Sequence, residues 1–391
     1  MENWQPNTWS SKNDAQMVQY HDVDKLQDCI NILKNKPTFV TTDEVNLLQK
    51  LLVLANKKQA FILQGGDCAE TFNRSLSYTK TTVNLLNDLR ELINTYTETP
   101  IVILGRVAGQ FAKPRTNTYD NQNKDLLSYR GDLINEITPT NDSRKPDPNR
   151  LISGYNKANE IYSSLKEFPI QTIARLDNLE TPNIFTSHEA LSLHYEQSLT
   201  RQQSNGQWYN LSTHFPWLGV RTNNIDGAHV EYLRGIVNPI GIKISSRTSP
   251  LHLIQLLDIL NPLNIPGRIT LTTRLGYNKI SNHLPKLINA VIEAKKIVNW
   301  FCDPMHGNTT ICANSKKTRL MPDIESELLQ SISIHKELGS HLSGIHLELT
   351  AENVTECLET SDTELTNSPL VDPRLNTNQC KAIIHSFCKQ L

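Results

Sequence analysis

A chain of 391 residues with 38% hydrophobic residues can bury a large core, and a single barrel takes up much of that length. Basic and acidic residues number 39 and 40, leave a net charge of -1 and form no Lys/Arg stripe, which argues against nucleic acid as a partner. No apolar run nears the roughly 20 residues that span a bilayer, MENWQPNTWSSKND lacks the pattern of a signal peptide, and seven cysteines in so long a chain do not read as a disulfide framework; the expected setting is the cytoplasm, with no membrane partner.

Residues 1–20 are polar, carry two tryptophans and read as an irregular arm. Helical spacing follows over 22–35 and 42–57, the second opening at Thr42 with an acidic first turn. Short apolar runs then alternate with helix-like segments. The runs are AFILQG (60–65), PIVILGR (100–106), NIFTSHE (183–189), THFPWLGVR (213–221), PIGIKIS (239–245), RITLTTR (268–274), IVNWFCD (297–303) and GIHLELT (344–350). The fourth is broken by Pro216. Eight strands alternating with helices predict a parallel sheet, and eight is the number that closes a (β/α)8 barrel. The expected division is an arm with helices over 1–58 and one barrel domain over 59–391. Residues 107–182 form a long, polar, turn-rich gap of the kind that is usually functional or disordered.

Charged and metal-binding side chains follow the runs in order: Asp67 and Cys68; Arg106, then Lys113 and Arg115; His188 and Glu189; Arg221; Lys243, then Arg247; Arg274; Asp303 and His306; His346 and Glu348. In a barrel these strand ends meet at one mouth, and apolar residues fill the rest of the interior. Arg106, Arg221, Lys243 and Arg274 make a cationic group suited to phosphate and carboxylate. Cys68, His306 and Glu348 offer S, N and O donors, a set that suits a divalent transition metal better than Mg or Ca. The bland readings are a buried thiol for the other cysteines, surface charge for Lys57, Lys58, Lys295 and Lys296, and solvent-facing rings for His283, His335 and His385. His346 fits a core histidine as well as a site residue. Spacing alone reaches a metal-dependent barrel acting on an anionic substrate.

The motifs LQGGDCAETF (63–72), GRVAGQFAKPR (105–115), SYRGDLIN (128–135), TSHEALSLHYE (186–196), RTNNIDGAHVEYLRG (221–235), CDPMHGNT (302–309), GIHLELTAENVTEC (344–357) and DPRLNT (372–377) together resemble the class II 3-deoxy-D-arabino-heptulosonate 7-phosphate (DAHP) synthases. The arm TWSSKNDAQMVQYHD (8–22) resembles that family too, so the likeness covers nearly the whole chain. It implies a (β/α)8 barrel that condenses phosphoenolpyruvate (PEP) with erythrose 4-phosphate, releasing phosphate, at the entry to the shikimate pathway. It also implies metal ligands Cys68, His306, Glu348 and Asp372, with Mn or Co as the divalent metal. PEP is expected at Arg106, Arg221, Lys243 and Arg274, with Glu189 beside it. The aldose phosphate is expected at Lys113, Arg115 and Lys317. Lys243 or Lys113 is the expected proton handler. Cys302 becomes a packing residue, and Asp303 with Pro304 shapes the turn that presents His306. A homo-oligomer, dimer or tetramer, is expected.

Three positions depart from the family pattern. Val220 precedes Arg221 where Glu is usual, Lys243 is followed by ISSRTSP instead of a Gly-Pro loop, and Val371 precedes Asp372 where many members have Cys. The segment IYSSLKEFPIQTIARLDNLETPN leaves little room for the helix pair with which long members bind aromatic amino acids. Weak or absent feedback, and a role in secondary metabolism, follow as expectations. Two alternatives stay open: a paralogue that takes a different phosphorylated aldose, such as an amino sugar, and a non-catalytic barrel that binds PEP or a partner.

Overall fold

Eight parallel strands close on themselves in the computed structural model, which describes residues 4–120, 123–365, 369 and 371–390. They are β1 (Phe61–Gly66), β2 (Ile101–Arg106), β3 (Phe185–Glu189), β4 (Phe215–Leu218), β5 (Ile240–Ser245), β6 (Ile269–Arg274), β7 (Asn299–Cys302) and β8 (Gly344–Glu348). Each pairs with its neighbours in sequence, and β8 closes the ring on β1 with Ile62 opposite Gly344 and Gly66 opposite Glu348. Every predicted run therefore supplies one strand. The fourth does so despite Pro216, which pairs with His188 at the β3 edge. The strands are nearly continuous in apolar or small residues because helices cover the outside and packed side chains fill the inside.

Helices α1 (Val23–Lys34) and α2 (Thr42–Asn56) precede the barrel. The cap of α2 is Thr41, one residue before the predicted start: its hydroxyl accepts from the Glu44 amide while the Glu44 side chain bonds back to the Thr41 amide. Around the barrel follow α3 (Leu76–Asn94), α4 (Asn149–Leu165), α5 (Leu193–Ser198), α6 (Ala228–Gly235), α7 (Pro250–Leu260), α8 (Ile280–Glu293), α9 (Met321–Glu337) and α10 (Thr377–Cys388). The gap over 107–182 is less irregular than expected: it holds α4 and a short antiparallel pair, Gln171–Ile173 with Leu179–Thr181. Residues 121 and 122 of that gap lie outside the described residues.

The arm wraps the barrel toward its C-terminal mouth. Trp4 donates to the Glu231 carbonyl, Trp9 is buried and donates to Gln197, and Gln16 accepts from the Arg115 amide at 2.9 Å. Among the described residues no helix is long and apolar enough to cross a membrane.

Candidate active site

The strand ends converge on a cavity of about 450 Å3. Arg106, Lys113, Arg115, Glu189, Arg221, Lys243, Arg274 and Lys317 all line it, with His306 and Asp372. Cys68 and Glu348 lie buried beneath, Cys68 at 3.6 Å from Asp372 and Glu348 at 3.0 Å from His306 Nε2.

Close backbone approach builds this end of the barrel. Gly66 has φ +148°, and a Cβ there would lie 2.7 Å from the Arg106 carbonyl, so glycine lets β1 and β2 end side by side. The loop after β2 is held by Glu70, whose buried carboxylate accepts from the amides of Ala108, Gly109 and Gln110 at 2.9, 2.8 and 2.8 Å. This loop carries Lys113 and Arg115 into the cavity. The loop after β8 is pinned by Arg374, which bridges Asp67 at 3.1 Å and Glu356 at 2.8 Å and so fixes Asp372 two residues away.

Ligand atoms of Cys68, Glu348 and Asp372 all lie within 4.8 Å of one another. His306 groups instead with Asp303 and His346, and joins the first three through its contact with Glu348. Glu348 has no exposed surface. Arg106, Arg319 and His306 approach it at 3.1, 2.8 and 3.0 Å, yet neither of its oxygens receives an aligned hydrogen bond. A buried carboxylate left in that condition, beside a thiol, an imidazole and a second carboxylate, fits a divalent cation.

Burial opposes the Glu348 charge, but His306, Arg319 and Arg106 outweigh it and hold its pKa well below the usual range. Burial and the Glu348 charge push the Cys68 thiol up to about 12, so metal binding must displace its proton. Burial disfavours the Lys113 charge as well, yet Cys68, Asp372 at 3.3 Å and Glu348 at 4.0 Å raise its pKa overall.

The cationic side is equally specific. Arg106 is 2% exposed, donates to the carbonyls of Asp67 and Cys68, and meets His346 Nε2 at 2.8 Å. Because arginine can only donate, His346 Nε2 accepts and its Nδ1–H faces Gln64 Oε1 at 2.7 Å. His346, which the sequence left open, is thus a neutral ring that positions Arg106; burial and Lys243 hold its pKa far down. Arg274 donates to the His306 carbonyl at 2.7 Å and keeps its Nε without a partner. Arg221 donates to the Thr116 hydroxyl, at 3.2 and 3.3 Å. Burial, with Arg106 and Arg274 nearby, lowers the Lys243 pKa to about 8 although Asp303 opposes this from 2.7 Å. Trp217 walls the cavity, its ring 5.2 Å from the Arg106 guanidinium and 5.8 Å from the Lys243 ammonium.

Arg247 stands apart. It is exposed on the loop after β5 and does not line the cavity. Val220 and Val371 both line it, and Val371 packs on Cys68 and Ala69. Glu189 keeps a buried Oε1 without a hydrogen-bond partner, pressed against Gly219. Cys302 is fully buried in the core, as expected. Asp303 shapes the His306 turn by accepting from the amides of Met305 and His306, each at 3.1 Å. Among the predicted solvent-facing histidines His385 is exposed, but His335 is buried, because its face of α9 packs on Trp300. Sequence reasoning passed over Arg319, fully buried under Glu348, and Trp217; neither sits in a pattern that marks a site.

The class-II DAHP synthetase family model matches residues 4–183 and 160–387. The chain belongs to the class-II DAHP synthetase family. It is similar to curated proteins named phospho-2-dehydro-3-deoxyheptonate aldolase. One, from Neurospora crassa, is 37% identical over 443 residues, covering 96% of this chain and 92% of that protein. Another, from Streptomyces coelicolor, is 34% identical over 423 residues, with 95% and 94% covered. A third, from Mycolicibacterium smegmatis, is 34% identical over 412 residues, with 92% and 88% covered. Among solved structures, a protein of the same name from Francisella tularensis superposes with a TM-score of 0.54 at 12% identity, covering 93% of this chain and 95% of that one, a likeness of fold alone. For a class-II DAHP synthetase, the barrel mouth is the place to look for chemistry.

Proposed function

We propose that this barrel mouth performs DAHP synthesis with PEP held against Arg106, Arg221, Lys243 and Arg274 and erythrose 4-phosphate reaching toward Arg115 and Lys317. The reaction itself, condensation of PEP with erythrose 4-phosphate at the first step of the shikimate pathway, follows from family membership. The observation that carries the site assignment is the juxtaposition of four cationic side chains with His306, Asp372 and the buried Cys68 and Glu348 at one cavity.

In the step, C3 of PEP forms a bond to the aldehyde carbon, the aldehyde oxygen takes a proton, and water adds at C2 of PEP. The resulting phosphohemiketal loses phosphate as its C2–O bond to phosphorus-bearing oxygen breaks. Cys68, His306, Glu348 and Asp372 would hold a divalent metal, Mn or Co, which supplies Lewis-acid polarisation of the aldehyde. Arg106 and Arg274 are held by carbonyls and keep N–H groups toward the cavity, so they bind and orient PEP with little reorganisation. Lys113, anchored on Asp372, is the group assigned to pass a proton to the aldehyde oxygen. Lys243 meets the carboxylate end of PEP while Asp303 fixes its direction. Glu189, which lines the same cavity as Val220 and has one oxygen buried against Gly219, is the carboxylate assigned to contact the substrate on that wall.

We also propose a cytoplasmic homo-oligomer, one catalytic domain behind a short arm with helices, and weak or no aromatic amino-acid feedback, in keeping with secondary metabolism. Two facts support the last point. The alignment with the Neurospora crassa relative spans 443 residues, more than the 391 of this chain, so that relative carries insertions. Between α4 and β3 this chain holds the short antiparallel pair and the single 3-10 turn Ala174–Leu176 that joins its strands and, among the described residues, no α-helix. Val220 favours a check on the second substrate. In a panel of phosphorylated aldoses, erythrose 4-phosphate should give the highest kcat/KM; a preferred amino sugar would replace it in the assignment.

A further inference from the structure

The N-terminal end of the barrel, opposite the catalytic mouth, carries a second cavity of about 380 Å3. Phe61, Ile93, Ile101, Leu342 and Phe387 give it a buried apolar floor. Among the described residues its ionisable lining is Lys58, Lys336, His335 and His341, with no Asp or Glu. Both lysines are exposed at the rim. Lys58 even occupies a left-handed position, φ 63°, just past the end of α2, a place glycine usually takes.

His335 is the second observation. It is 1% exposed, its Nδ1 lies 3.0 Å from the Ser340 hydroxyl, and its Nε2 has no partner. If Nδ1 accepts the Ser340 proton, Nε2 carries the ring N–H, a buried donor left unmade. Burial lowers the pKa of His335 to about 3, with His341 adding to it. Burial and the Lys58 charge lower that of His341 to about 4. Both rings are neutral donors in a cationic surround.

We propose that this cavity binds an amphipathic carboxylate, a molecule with an apolar, ring-sized body and one acidic group. The body would lie on the Phe61–Phe387 floor, whose rings are 5.1 Å apart, and the carboxylate would lie among Lys58, Lys336 and the imidazoles of His335 and His341. The size is in the range of small-molecule pockets. An amino acid fits poorly, since its ammonium would face the lysines and none of the described lining residues offers it a carboxylate. A sugar phosphate would leave the apolar floor unused. The ligand class is therefore distinct from both the substrates and the aromatic amino acids.

The test is calorimetric titration of the full, metal-loaded protein near neutral pH with 1-naphthaleneacetate and, separately, with its neutral amide. The acid should bind saturably at one site, PEP should not displace it, and the amide should bind at least about tenfold more weakly, the range of a charge-assisted contact. The double variant K58E/K336E should weaken the acid at least about tenfold while kcat and both KM values stay unchanged, since neither lysine belongs to the catalytic mouth. Absence of saturable binding, equal binding of the amide, displacement by PEP, or undiminished binding by the variant would each overturn the proposal.

Discussion

The Lys243 ammonium lies 2.7 Å from Asp303 Oδ2, and the same oxygen meets His306 Nδ1 at 2.7 Å. One buried carboxylate thus sets the direction of the cation proposed for PEP and of the imidazole proposed for the metal. Burial opposes the Asp303 charge, but His306 and Lys243 hold its pKa well below the ordinary range, so it stays ionised. Replacing His306 with Ala should abolish metal-dependent turnover. Cys302→Ser, in the core one residue before Asp303, should leave most of it. Steady-state assays of both variants with the metal titrated decide this; an active His306→Ala enzyme would remove His306 from the metal set.

Lys243 gives a pH prediction. Its pKa is lowered to about 8, chiefly by burial, so its positive charge is present below that value and lost as pH rises through it. On the proposed assignment PEP needs the ammonium, and kcat/KM reports the free enzyme. The value for PEP should fall above about pH 8, approaching roughly tenfold per pH unit. Lys243→Arg, slower in itself, should lack this limb because arginine stays charged. A wild-type profile that stays flat to about pH 9.5 would take the titrating role from Lys243.

Gly219 sits behind Glu189. A Cβ there would lie 2.0 Å from Glu189 Oε1, inside any contact distance, so Gly219→Ala must turn the carboxylate. A displacement of about an ångström at a substrate-facing group costs on the order of 100-fold in rate. The expected variant folds with an unchanged melting temperature within a few degrees of wild type yet loses about that factor in kcat/KM. Full activity would mean that Glu189 is a packing group.

Feedback should be weak or missing. With Phe, Tyr and Trp present together at saturation, initial rates should match those without them. A clear drop would show that this chain regulates without the inserted helix pair expected of long family members.

Much of this was legible in the sequence, for physical reasons that differ by region. Barrel strands are buried on both faces, so they stand out as short apolar runs, and their C-terminal ends stand out because Cys68, Arg106, Lys243, His306 and Glu348 interrupt otherwise apolar or small residues. Asp372 follows no strand, and only the DPRLNT motif marks it; the structure shows why its place is fixed, through Arg374 and Asp67. Helix α4 escaped because NRLISGYNKANEIYSSL is diluted by Asn, Ser and Gly154, though its buried positions, such as Leu151, Tyr155, Ala158 and Tyr162, do recur at helical spacing. His335 and Arg319 were illegible because burial of a polar side chain is decided by what packs on it from far along the chain.

Metal-dependent DAHP synthesis is assigned to the cavity at the barrel mouth. It is tested most directly by stripping the protein of metal, supplying PEP and erythrose 4-phosphate, and following phosphate release and product mass with and without added Mn. Release that requires the metal, with a product of the mass of DAHP, is the expected result. Equal release without metal, or none with it while PEP still binds, would contradict the account.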